Sequence, residues 1–171
     1  MAAVMAIAGL VQPATGASAE TSTETVAAPA NGPRPTAPDL TGLMYPLDCK
    51  GAPQATTATA HGDLDGDGRP ETVAAVRCQA GSGTPPHALY VLTQDRTEGA
   101  GPRVVATLLD TTRRQTVTDL TVRDGAVTAT LLGYSTPDVP RCCPDTKQLA
   151  KWRWSGGKFR QELTDSTAKS V

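Results

Sequence analysis

From Asp39 onward no stretch of the sequence repeats apolar residues at helical spacing, while short β-branched runs cut by Gly, Pro and Asp recur throughout. Such runs suit pleated strands, and the residues that flank them suit turns. Ala55–Asp63, Thr72–Cys78, Ala88–Thr93, Arg103–Leu109 and Gln115–Tyr134 all read this way. Within the last, Asp124–Gly125 marks a two-residue hairpin turn. On its second arm Val127, Ala129 and Leu131 alternate with Thr128, Thr130 and Leu132. The closing "LAKWRWSGGKFRQEL" reads as two more strands turned at Ser155–Gly157, with Trp152 and Trp154 on one face and Lys151 and Arg153 on the other. Strands this closely spaced leave no helix for a parallel crossover. The expected fold is therefore all-β, a single small antiparallel sheet or sandwich over residues 39–165 with a flexible tail at 166–171. Both tryptophans are expected to anchor its core; the competing reading is an exposed aromatic strip for sugar or peptidoglycan.

What precedes residue 39 has little to bury. Residues 1–19 form an apolar run followed by small residues, with "ASA" at Ala17–Ala19 as a signal-peptidase-like site, although no Lys or Arg opens the run. The run is too short to span a bilayer. The first cysteine is Cys49, so no residue is placed for a lipid anchor, and a secreted protein is expected. Residues 20–38, rich in Thr, Ala, Pro and Glu, read as a disordered spacer. A net charge of −1 gives no footprint for nucleic acid or an anionic membrane.

The stretch "HGDLDGDGRPETV" gathers four carboxylates, Asp63, Asp65, Asp67 and Glu71, which would repel one another without a cation among them. Counted from Asp63, they hold positions one, three, five and nine, and Arg69 at position seven can offer its backbone carbonyl. Gly66 and Gly68 let the chain wrap tightly enough to converge these oxygens. Calcium takes six to eight hard oxygens, which this set and water can supply. A turn built only on Asp and Gly chemistry is the competing reading, but four carboxylates exceed what a turn needs. An EF-hand loop would require a carboxylate at position twelve, where Ala74 stands, and helical flanks.

The segment "DLDGDGRPETVAAV" resembles the short calcium loops of the FG-GAP and VCBS type, which join two antiparallel strands. The resemblance implies Asp63, Asp65 and Asp67 as side-chain ligands, Arg69 through its carbonyl, and Glu71 closing the loop. It covers one unit, and the chain is too short for a propeller of such repeats. A broader pattern runs from "GDLDGDGRPE" through "VRC" and the Asp124–Gly125 hairpin to "CCPD" before "WRW". It resembles secreted actinobacterial proteins related to the LppP/LprE lipoproteins, without their lipidated cysteine, and implies an envelope-associated location.

Four cysteines in an exported domain, Cys49, Cys78, Cys142 and Cys143, point to two disulfides with three possible connectivities. Cys49–Cys78 is the first choice, tying the strand that enters the domain to the one leaving the acidic loop. Cys142 and Cys143 would then be bonded to each other or free; the alternative clamps both onto distant partners. No C-x-x-C spacing supports zinc. Nor does a nucleophile–base arrangement appear, since His61 and His87 are the only histidines and no G-x-S-x-G occurs. His61 reads as a strand residue or cap, and His87 as a solvated loop residue.

These features predict a secreted, calcium-stabilised, disulfide-bonded binding or envelope-associated module without catalytic activity. Its expected partner is an envelope or extracellular protein or a glycan. The alternatives are an inhibitor-like protein and an unrecognised envelope hydrolase. In the inhibitor reading the proline-rich loop Gly133–Asp145 meets the partner through Tyr134 and Asp138.

Overall fold

The computed structural model of the chain describes residues 35–79, 83–97 and 99–165. The signal-like residues 1–19, most of the spacer and the tail at 166–171 lie outside these. The described residues hold eight strands and one 3-10 turn at Thr111–Arg113, and no helix among them is long and apolar enough to cross a membrane. The strands are β1 (Gln54–Gly62), β2 (Glu71–Cys78), β3 (Ala88–Gln94), β4 (Pro102–Leu109), β5 (Thr116–Arg123), β6 (Ala126–Gly133), β7 (Thr146–Ser155) and β8 (Lys158–Asp165). They make two four-stranded antiparallel sheets in the orders β1-β2-β3-β4 and β5-β6-β7-β8. The expected all-β sandwich is the fold of the described domain.

Turn chemistry sets the hairpins. Asp124 and Gly125 both take positive φ, 52° and 66°, as the tight β5–β6 turn demands. Gly156 and Gly157 do the same between β7 and β8. The inner faces then meet in one core, where Val73, Ala75, Leu89 and Val91 of the first sheet oppose Val127, Ala129, Leu131, Ala150 and Trp152 of the second. Val127, Ala129 and Leu131 are the row that the sequence alternation assigned to one face.

Burial on β2 and β3 departs from simple alternation, because consecutive residues from Glu71 to Val76 and from Ala88 to Leu92 are buried. The cause is a third layer. The chain before β1 lies across the outer face of the first sheet, where Tyr45 packs with Ala74, Val76, Tyr90 and Leu92, and Leu40, Leu43 and Leu47 join at the margin. The rings of Tyr45 and Tyr90 stack with centroids 5.6 Å apart. Gln54 pins this strap by donating to the carbonyls of Tyr45 and Leu47 and accepting from the Tyr45 N–H at 2.9 Å. The strap extends past the boundary read from composition: Pro38, assigned to the spacer, is buried and its carbonyl accepts from the Thr72 hydroxyl.

A disulfide between Cys49 and Cys78 joins the strap to the end of β2, as the sequence reading preferred. Cys142 and Cys143 bond to each other, so the alternative that clamps them onto distant partners is corrected. The two sheets approach along β1 and β5, where a Cβ on Gly62 would lie 2.5 Å from Val122 Cγ1. Along the opposite margin β4 and β8 meet only sparsely. The sandwich is therefore closed on one side and parted on the other.

Candidate metal centre

The acidic loop is the connection of the β1–β2 hairpin, so the two strands fix both of its ends. Leu64 anchors it from within, inserting a side chain only 5% exposed into the inter-sheet core. Around that anchor the backbone wraps onto the carboxylates. Asp63 accepts from the N–H of Gly66 at 2.7 Å and of Gly68 at 2.8 Å, Asp65 from that of Asp67, and Asp67 from that of Arg69. Gly66 and Gly68 make this possible with φ of 82° and 81°, a region that a side chain strains.

The wrapping brings Asp63, Asp65 and Glu71 together, with one oxygen from each within 4.8 Å of the others. Asp67 stands apart from this group. Its carboxylate pairs instead with Arg96, at 3.4 Å, across the loop that follows β3. The expectation of four converging carboxylates is thus narrowed to three, with the fourth held by a cation from the protein itself. Glu71 is the buried member, and its Oε2 accepts from the Leu64 N–H at 2.8 Å. Burial pushes the Glu71 carboxyl above its ordinary range; the hydrogen bond opposes this, and the charges of Asp65, Asp67 and Asp63 reinforce it. The mutual repulsion of these carboxylates is what a cation among them would relieve, and an all-oxygen donor set is the choice of hard divalent ions.

Other singled-out residues lie elsewhere. His61 is on β1, with Nδ1 2.9 Å from the Thr72 hydroxyl, a cross-strand pair. His87, expected in solvent, is only 4% exposed; this is a correction, and its cause is the seam between sheets. There its N–H donates to the Gln115 carbonyl at 2.9 Å, and its Nδ1 faces the Val117 N–H at 3.4 Å. Burial, then the nearby Arg77 guanidinium, lowers its pKa from 6.5 to about 4.

Tyr134 and Asp138 belong to the loop of the β6–β7 hairpin. The Tyr134 hydroxyl donates to the Arg141 carbonyl at 2.6 Å, and Arg114 sits over its ring. At the loop's base Asp145 accepts from the Ser135 N–H, while Asp138 is exposed at its tip. Trp152 is a core anchor, but Trp154, expected beside it, is 41% exposed and meets Phe159 edge to face. Both lie on the same face, but Trp154 lines the parted margin with Val105 of the opposing sheet. Sequence reading missed Leu64 as the loop's anchor and Arg96 as the Asp67 partner. The Leu between two Asp residues was the available signal for the first; for the second, which depends on tertiary approach, there was none. Comparison with protein-family profiles, curated proteins and solved structures finds no match to this chain.

Proposed function

We propose that the protein is a secreted, calcium-stabilised binding module of the bacterial cell envelope, without catalytic activity and related to the LppP/LprE lipoproteins. The observation that carries this reading is the convergence of Asp63, Asp65 and Glu71 on a strand-to-strand loop, whose sequence resembles the FG-GAP and VCBS type. Asp63, Asp65 and Glu71 would hold the ion by side chain and Arg69 by its carbonyl, with Asp67 left in its pair with Arg96. The ion's role would be structural: it relieves the repulsion among the carboxylates and so fastens β1 to β2.

Binding to the folded state alone stabilises it by linkage, by about 2.7 kcal/mol at one hundred times the dissociation constant. Thermal melts of the protein with calcium and with chelator test the proposal. Calcium should raise the midpoint, and Asp65→Ala should abolish the rise. Equal midpoints in the unaltered protein, with no heat of calcium binding, would refute it.

A second reading, insertion of the β6–β7 loop into a partner enzyme's site, draws on one observation. That loop is exposed yet braced by Tyr134–Arg141, Ser135–Asp145 and the Cys142–Cys143 bond, and bracing reduces the entropy lost on binding.

A further inference from the structure

The parted margin between β4 and β8 opens into a groove of about 400 Å³ beside the acidic loop. Its wall is the cross-strand pair Trp154 and Phe159, whose ring centroids are 5.1 Å apart, and its floor includes Val91 and Val105. Trp154 and Val105 are 41% and 43% exposed, so apolar surface is presented to whatever enters. The size is that of a small-ligand site rather than of a protein interface.

The rim decides the chemistry. Asp65, Asp67, Glu71 and Asp95 line it together with Arg69, Arg96 and Arg103, so both signs of charge are present. Two pairs are already joined, Arg96 to Asp67 at 3.4 Å and Arg103 to Asp95 at 3.5 Å. A strongly charged ligand would have to break these pairs and would meet like charges on the rim whichever sign it carried. A neutral ligand rich in hydroxyls can donate to the carboxylates and accept from the guanidiniums while both pairs persist.

The edges argue against an added peptide strand. Pro102 opens β4 without an N–H, two irregularities interrupt its pairing with β3, and Lys158, Arg160 and Glu162 punctuate β8. These are devices that blunt strand addition, and they leave recognition to side chains.

We propose that this groove binds a neutral saccharide, with Trp154 as the platform on which the sugar ring stacks. The C–H bonds on one face of a pyranose carry partial positive charge, and the indole face carries partial negative charge. Asp95, Arg96 and Arg103 then meet the hydroxyls around the ring's edge. The proposal rests on the binding-module reading and names the class of partner.

The test uses the full chain in calcium-containing buffer with short neutral oligosaccharides of glucose, mannose, galactose or N-acetylglucosamine, read by tryptophan fluorescence and calorimetry. A charged oligogalacturonate and an extended neutral peptide serve as comparison probes. At least one neutral saccharide should bind with a dissociation constant of about 1 mM or tighter. Trp154→Ala should weaken that binding about tenfold or more, with the melting midpoint nearly unchanged, and Trp154→Phe should restore part of it. The fluorescence response belongs to Trp154, because Trp152 is buried.

No neutral binding, binding indifferent to Trp154→Ala, or tighter binding of the charged or peptide probe would overturn the proposal. The calcium-dependent midpoint shift, read on the same samples, separates the two readings. A shift without saccharide binding refutes the groove alone, and saccharide binding without a shift refutes the metal reading alone.

Discussion

His87 makes the fold sensitive to acid in a way that can be calculated. Its imidazole is 4% exposed, and its Nδ1 is oriented as an acceptor toward the Val117 N–H, so a proton added there would replace attraction with repulsion. Arg77 adds a like charge, and its Nε is already a buried atom without a hydrogen-bond partner. The folded pKa of about 4 lies below the ordinary value of 6.5, so the unfolded chain takes up the proton first. His87 therefore costs the fold nothing well above pH 6.5, and stability is lost progressively as pH falls from there toward 4.

At pH 5 the unfolded state is favoured by a factor of about 30 through this one group, and at pH 7.5 by almost nothing, a difference of about 2 kcal/mol. Urea unfolding at the two pH values, with chelator present throughout, measures it. The variant His87→Gln removes this titration while keeping an acceptor for Val117, and subtracting its pH dependence cancels the carboxylates and His61 common to both proteins. The unaltered protein should lose about 2 kcal/mol more than the variant between pH 7.5 and 5. Equal losses would show that the folded protein accommodates the imidazolium and that the burial argument is wrong.

Replacing Cys49 and Cys78 together by serine should cost about 3–4 kcal/mol in the chain-entropy account for a bridge between residues 29 apart, measurable by denaturant unfolding. Non-reducing peptide mapping should return Cys49–Cys78 and Cys142–Cys143 and no cross-linked mixture. Trp152→Ala should destabilise by about 3–5 kcal/mol, since the residue is 2% exposed in the inter-sheet core. If the β6–β7 loop is a recognition element, Tyr134→Ala and Asp138→Ala should weaken capture of a partner from culture medium and leave the midpoint nearly unchanged. Lowered midpoints with undiminished capture would make the loop structural.

The strands were legible because their determinants are local. Asp124–Gly125 and Ser155–Gly157 specify tight turns wherever they occur, and the Val127–Ala129–Leu131 alternation needs no partner to be read. The acidic loop was legible for the same reason, since its oxygens are spaced along one short segment. What escaped depends on distant segments meeting. His87 is buried because β3 and β5 begin side by side, Asp67 turns outward because Arg96 reaches it, and β2 is buried on both faces because the strap covers it. Trp154 shares its strand face with the core residue Trp152 and differs because it sits at the margin where β4 and β8 part.

Every strand pairs with its neighbour in sequence, and the chain passes between the two sheets only once among the described residues, after β4. Each bridge likewise stays on its own side of that passage: Cys49 and Cys78 precede it, and Cys142 and Cys143 follow it. Assembly can therefore proceed in the order of synthesis. Closing short hairpins costs little loop entropy, so the first four strands can pair, and their cysteines oxidise, before the last four have appeared. The cysteines that could form wrong bridges then arrive after the correct partner has been taken.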